Sequence, residues 1–182
     1  MQSKYIFMLL GHPGSGKTHF SKQLAEKIGA VRVNADAMRV RMFGTIEAAK
    51  AFDAGTGALN KLVFGALDYV ALQILKSGNS VVSDFQHNKK SIRAHTMQIA
   101  NENGAKAVVV WIKTPREIAI QRGIERAEAL DQRKFSDEKM QALVDKSMQL
   151  LEAPEDELVI TLDGEMPFDQ QYQSFVQQLH DL

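Results

Sequence analysis

Apolar residues along this chain fall into two alternating patterns. Four short, nearly unbroken apolar runs, at residues 5–10, 80–83, 107–112 and 158–162, read as parallel strands buried on both faces, and a weaker fifth lies at 31–34. Between them apolar positions recur at helical spacing. Phe20, Leu24 and Ile28 mark a helix that Gly29 stops; Leu59, Val63, Leu67, Val70 and Ile74 line one face before Gly78; Ile92, Ile99 and Ala100 precede Gly104. Strand and helix therefore alternate, which predicts an α/β sheet with right-handed crossovers. Phe168, Tyr172, Phe175, Val176 and Leu179 predict a terminal helix packed on that sheet.

The longest interval between strands runs over residues 114–157. It opens on Thr114-Pro115-Arg116-Glu117, which reads as a capping box with Thr at N-cap, Pro at N1 and Glu at N3. Two helices are predicted there, joined by a polar turn at 131–136, the second carrying Met140, Leu143, Val144, Met148 and Leu151 on one face. Such an excursion has the form of a lid. Residues 53–57 contain two glycines and form the expected flexible connection, while residues 43–65 as a whole show no decodable pattern.

With 182 residues and 45% hydrophobic composition, one compact domain over residues 1–182 is expected, its lid region at about 114–157. Lys plus Arg and Asp plus Glu both number 22, so no global field draws the chain to nucleic acid or anionic lipid. Any polyanion must be gripped locally. Without cysteine there are no disulfides or thiolate zinc sites, which suits a reducing, cytoplasmic setting. The N-terminal apolar run is far shorter than the roughly 20 residues a membrane span needs. No membrane association and no obligatory protein partner are expected.

Candidate chemistry begins where the first strand ends. Gly11, His12, Pro13, Gly14, Ser15, Gly16, Lys17 and Thr18 form a complete Walker A phosphate loop between a buried-strand pattern and a helix. Glycines let successive backbone N–H groups turn toward phosphates, Lys17 reaches the β and γ oxygens, and the Thr18 hydroxyl is a magnesium ligand. The following helix adds its positive N-terminal dipole. A nucleoside triphosphate and Mg2+ are therefore the expected ligands. His12 occupies a variable position and receives no acid–base role.

Ligands of open parallel sheets bind beyond the carboxyl ends of the strands, so the polar residues after each apolar run are candidates. Asp36 and Arg39 follow the second strand, and Asp84 ends the third. Phosphoryl transfer to a hydroxyl needs a carboxylate to take the proton and fixed positive charge for the transferring group. Asp36 is the candidate base and Arg39 the candidate acceptor contact; the plainer readings are a helix N-cap and a solvated charge. Asp84 stands where a strand-end aspartate helps to hold magnesium, directly or through water, and is otherwise a loop-starting residue. Arg122 and Arg126, spaced i, i+4 on the first lid helix, are candidates to close over the triphosphate, against a solvated face paired with Glu125 or other nearby acids. Gln86, His87 and Asn88 are further candidates for an acceptor pocket.

These motifs resemble the P-loop kinases of the group containing polynucleotide 5′-kinases, zeta-toxin-like kinases, chloramphenicol phosphotransferase and gluconate-type kinases. The likeness rests on the phosphate loop, the Asp36-Ala-Met-Arg39 segment, the strand ending at Asp84, and Arg122 with Arg126 before Ala153-Pro154-Glu155. It spans nearly the whole chain. It implies a three-layer α/β P-loop NTPase fold with a five-stranded parallel sheet of nucleotide-kinase type and a helical lid. It also implies that Asp36 is the general base, that Arg39 grips the acceptor and that the lid arginines contact ATP phosphates. The expected activity is an ATP-dependent kinase transferring the γ-phosphoryl group to a hydroxyl of a small molecule or nucleotide. The alternatives are a polynucleotide 5′-hydroxyl kinase and a non-transferase ATP-binding switch. Against the switch, Phe85 follows Asp84 where a water-polarising glutamate would stand, and residues 88–91 lack the aspartate of a guanine-reading motif.

Overall fold

The computed structural model describes residues 3–53, 55–85, 87–125 and 135–182. Five strands, β1 (Lys4–Leu10), β2 (Val31–Asn34), β3 (Val81–Asp84), β4 (Ala105–Lys113) and β5 (Val159–Asp163), make one parallel sheet in the order β2-β3-β1-β4-β5. Each coincides with one of the apolar runs, its ends displaced by a residue or two. β1 is central, pairing Ile6 with Val81 on one side and with Ala107 on the other. A strand in that position is covered on both faces, which is why its sequence is continuously apolar rather than alternating.

Among the described residues eight helices accompany the sheet: α1 (Lys17–Ile28), α2 (Ala35–Phe43), α3 (Ile46–Asp53), α4 (Ala58–Lys76), α5 (Lys90–Glu102), α6 (Arg116–Glu125), α7 (Asp137–Gln149) and α8 (Phe168–His180). On one face, Leu59, Val63, Leu67 and Leu75 of α4 and Ala100 of α5 pack on Ile6, Met8, Val33, Val81 and Val109. On the other, Phe20 and Leu24 of α1 and Phe175 of α8 pack on Phe7, Leu9, Val82, Val108 and Val110. Three layers result, as expected. Each fully buried Phe contributes roughly 2 to 3 kcal/mol of apolar transfer free energy.

Several local expectations need correction. On α4 the small Ala71 and Leu75 are buried and Val70 and Ile74 only partly so, because the stripe advances in steps of four along the twisted sheet. α4 is also long and apolar enough, by length and composition, to cross a membrane, and its inward stripe is here spent on the sheet. Val176, expected on the packed face of α8, is exposed. Residues 43–65 hold the unforeseen α3. Asp53 organises the turn that follows, its carboxylate accepting from Leu59 N–H at 2.9 Å at the start of α4. Thr114 is not an N-cap: α6 begins at Arg116, and the Thr114 hydroxyl donates instead to the Ser15 carbonyl at 2.9 Å.

α6 and α7 meet through Ile120, Met140 and Val144. Across them Arg116 makes a two-pronged ion pair with Asp145, at 2.6 and 2.9 Å, which holds the Asp145 carboxyl below its usual range. Residues 126–134, which include Arg126 and most of the predicted turn, lie outside the described residues, as do Ala54 and Gln86.

Candidate active site

The phosphate loop sits at the carboxyl end of β1 and is braced from behind. Gly14, at φ 78°, lies so close to α6 that a Cβ there would stand 2.0 Å from the Ala119 carbonyl oxygen, so only glycine lets the loop and helix meet. The His12 ring is buried and its Nε2 donates to the Thr114 carbonyl at 2.8 Å, while Thr114 returns its hydroxyl to Ser15. The ring of His12, given no acid–base role, is thus a strut between the loop and the β4–α6 connection. Lys17 Nζ bridges the Gly11 and His12 carbonyls at 2.7 and 2.8 Å, under the loop it serves. α1 has no acidic residue in its first turn, so its dipole is left for an anion. Gly14, Gly16, Lys17, Thr18 and Arg122 border a cavity of about 230 Å³. That is below the roughly 300 Å³ where whole-ligand pockets begin, and it suits the phosphate end of a ligand.

At the carboxyl end of β3, Asp84 is buried and its two oxygens face different partners. Oδ2 accepts from Arg32 Nε at 3.0 Å, from Arg32 Nη2 and from Asn34 Nδ2 at 3.0 Å. Oδ1 faces the Thr18 hydroxyl at 3.5 Å, too long for a strong O–H···O bond and suited to two oxygens flanking a common point. Magnesium is ordinarily held by one or two carboxylates with phosphates and water completing the shell. Thr18 and Asp84 fit that mode, and among the described residues no group of three His, Cys, Asp or Glu converges as a self-sufficient cage would.

Asp36 and Arg39 lie in the first turns of α2 and pair with each other at 2.9 Å, with Arg39 Nη2 also donating to Asn60 at 2.9 Å. Both side chains are under one-fifth exposed. The N-cap of α2 is Asn34, whose Oδ1 accepts from Ala37 N–H at 2.8 Å, so the plain reading of Asp36 as the cap does not apply. Arg122 does not pair with Glu125; its Nη1 donates to the Gly164 carbonyl at 2.6 Å while its side chain borders the loop cavity. The structure thus gathers Thr18, Lys17, Asp84 and Arg122 around the phosphate loop. Asp36 and Arg39 form a separate pair on α2, linked to Asp84 through Asn34.

His87, a candidate for an acceptor pocket, is fully buried. Its Nδ1 donates to the Leu9 carbonyl at 3.2 Å, its Nε2 accepts from Ser83 Oγ at 3.3 Å, and its ring stacks on Phe85 at 4.2 Å. Burial pushes its pKa down to about 4. Asn88 is buried too, donating to Ser147 of α7 at 2.8 Å. Arg93 and Arg32 went unremarked in the sequence. Arg93 is fully buried and pairs with Glu157 at 2.7 Å. Arg32 had a readable signal: it alternates with the apolar Val31 and Val33, which places it on the same strand face as Asn34.

Sheet order, phosphate loop and facing carboxylate together define a P-loop NTPase fold of the kinase type. The chain belongs to the AAA domain family, whose model matches residues 6–151. It is 26% identical over 125 residues to L-seryl-tRNA(Sec) kinase of Methanococcus maripaludis, a match over 69% of this chain and 47% of that protein. The chain thus spans about half the length of that curated relative. Among solved structures it is similar to a sugar kinase from Janibacter sp. HTCC2649, with TM-score 0.70 and 19% identity over 98% of this chain and 95% of that one. It is also similar to a gluconokinase from Sinorhizobium meliloti 1021, with TM-score 0.67 and 18% identity over 98% and 92% of the two chains. At such identities the structural likeness speaks for the fold.

Proposed function

We propose that this chain is an ATP-dependent phosphotransferase of one kinase domain, with residues 114–157 as a lid, acting on a hydroxyl of a small molecule or nucleotide. The observation that carries this reading is the loose approach of Thr18 Oγ1 to Asp84 Oδ1 beside a phosphate loop whose cavity Arg122 also borders. In this reading the loop amides and Lys17 hold the β and γ phosphates. Thr18 and Asp84 would hold magnesium, which when bound would supply charge neutralisation on the phosphate oxygens. Asp36 takes the proton of the acceptor hydroxyl as its oxygen bonds to the γ-phosphorus and the bridge to ADP breaks. Arg39 orients the acceptor, and Arg122 offsets charge on the transferring group.

A hydroxyl carried on a nucleic acid is the second reading, favoured by the similarity to a kinase whose name places its acceptor on a tRNA. Zero net charge leaves only local contacts to hold such a chain. Within the narrower kinship with polynucleotide kinases, zeta toxins and chloramphenicol phosphotransferase, the Asp36-Ala-Met-Arg39 spacing is compatible with unlike acceptors. The test is magnesium-dependent ATP consumption against sugars, nucleosides, nucleotide sugars, antibiotics, 5′-hydroxyl oligonucleotides and aminoacyl-tRNA. Stimulation by one class names the acceptor; ATP binding without stimulation by any class would favour a nucleotide-dependent switch.

A further inference from the structure

The side chain of Asn34 is used at both ends. Its Oδ1 caps α2 through Ala37 N–H at 2.8 Å, while its Nδ2 donates to Asp84 Oδ2 at 3.0 Å and to the Asp84 carbonyl at 3.1 Å. Asn34 and Asp84 are register partners of the β2–β3 pairing, so these contacts run directly across the ladder. Asn, Asp and Ser cap helices about equally well. Only the amide adds two N–H donors to the capping oxygen, so capping alone does not account for asparagine here. Arg32, two residues earlier on the same strand face, completes the arrangement, its Nε donating to both Asp84 Oδ2 and the buried Ser21 Oγ at 3.0 Å.

We propose that Asn34, assisted by Arg32, is a positioning residue that turns Asp84 so that Oδ1 faces Thr18, and ties that carboxylate to the turn of α2 bearing Asp36. This rests on the reading of Asp84 as the metal-side carboxylate. Three N–H groups converge on Oδ2 and fix the rotation of the carboxyl group about its last bond. Through the same amide the first turn of α2 is pinned to the end of β3, adding a side-chain tie to the ladder that separates Asp84 from Asp36. Partners that orient a ligating carboxylate in this way act on metal affinity without touching the metal.

The test is Mn2+ binding to the full chain in the presence of ADP, read from the electron paramagnetic resonance of free Mn2+, together with ADP affinity in the absence of metal. Asn34→Ser keeps a capping oxygen and removes the donors to Asp84. We expect its ADP-dependent Mn2+ affinity to fall about tenfold while metal-free ADP affinity stays at the wild-type value. Asn34→Ala, which loses the cap as well, shows the same loss of Mn2+ affinity with a lower thermal midpoint. Wild-type Mn2+ binding by Asn34→Ser would reduce the residue to a cap and overturn the proposal. An equal fall in metal-free ADP affinity would also overturn it, as general damage to the site. Because no acceptor is present, failure to find an acceptor leaves this result standing, whereas a wild-type chain without ADP-dependent Mn2+ binding overturns both readings.

Discussion

His87 makes the chain acid-sensitive in a way that can be isolated. The ring is wholly buried beside β1, fixed as the Nδ1–H tautomer by the Leu9 carbonyl, and its pKa is pushed from 6.5 to about 4, chiefly by desolvation. In the unfolded chain the same imidazole protonates near its ordinary value. Between those two values the unfolded state binds more protons, so stability contributed by neutral His87 is present above pH 6.5 and lost as pH falls toward 4. The full shift corresponds to roughly 3 kcal/mol, of which about 2 kcal/mol is lost by pH 5. Urea unfolding of the wild type and of His87→Asn at a series of pH values from 7.5 to 5 measures it. The variant starts from a lower stability, so the comparison is between the pH slopes of the two chains. The wild type should therefore lose about 2 kcal/mol more than the variant over this interval. Parallel curves, or a His87 imidazole titrating near 6.5 by NMR, would refute the reasoning.

Three further outcomes follow from the same geometry. Arg93→Met leaves the largely buried Glu157 carboxylate without its partner and should cost about 3 kcal/mol in chemical denaturation, while the double variant with Glu157→Leu recovers most of that loss; equal stability of the two would deny the pair. Gly14→Ala drives a Cβ into the Ala119 carbonyl and should lower the thermal midpoint more than Gly16→Ala, where no atom lies within 4 Å and the cost is about 1 to 2 kcal/mol from positive φ alone; the opposite order contradicts the close approach of loop and α6. Arg122→Ala should slow magnesium-dependent ATP turnover about a hundredfold with folding retained, and an unchanged rate would remove Arg122 from the phosphate site.

The strands were legible because a sheet covered on both faces demands continuous apolar runs, and the phosphate loop because its backbone geometry demands glycines. Less legible were the polar partnerships that span the chain. Arg93 is 64 residues from Glu157, and Arg32 is 52 from Asp84; no local pattern joins such pairs, although the alternation in β2 did mark Arg32 and Asn34 as sharing a face. Thr114 satisfied every local requirement of a cap and was taken by the Ser15 carbonyl across the sheet, a tertiary demand that overrode a local preference. The buried state of His87 was equally invisible, since Leu9 of β1 and Ser83 of β3 bond its ring while its own loop supplies the stacked Phe85.

Phosphoryl transfer assisted by Asp36 is the central proposal, and its most direct measurement compares wild type and Asp36→Asn in acceptor-stimulated ATP consumption across the acceptor panel, with ADP affinity measured alongside. The account predicts stimulation by one acceptor class, a loss of about a hundredfold or more in the variant, and unchanged ADP affinity. An acceptor-stimulated rate that survives Asp36→Asn intact would contradict it.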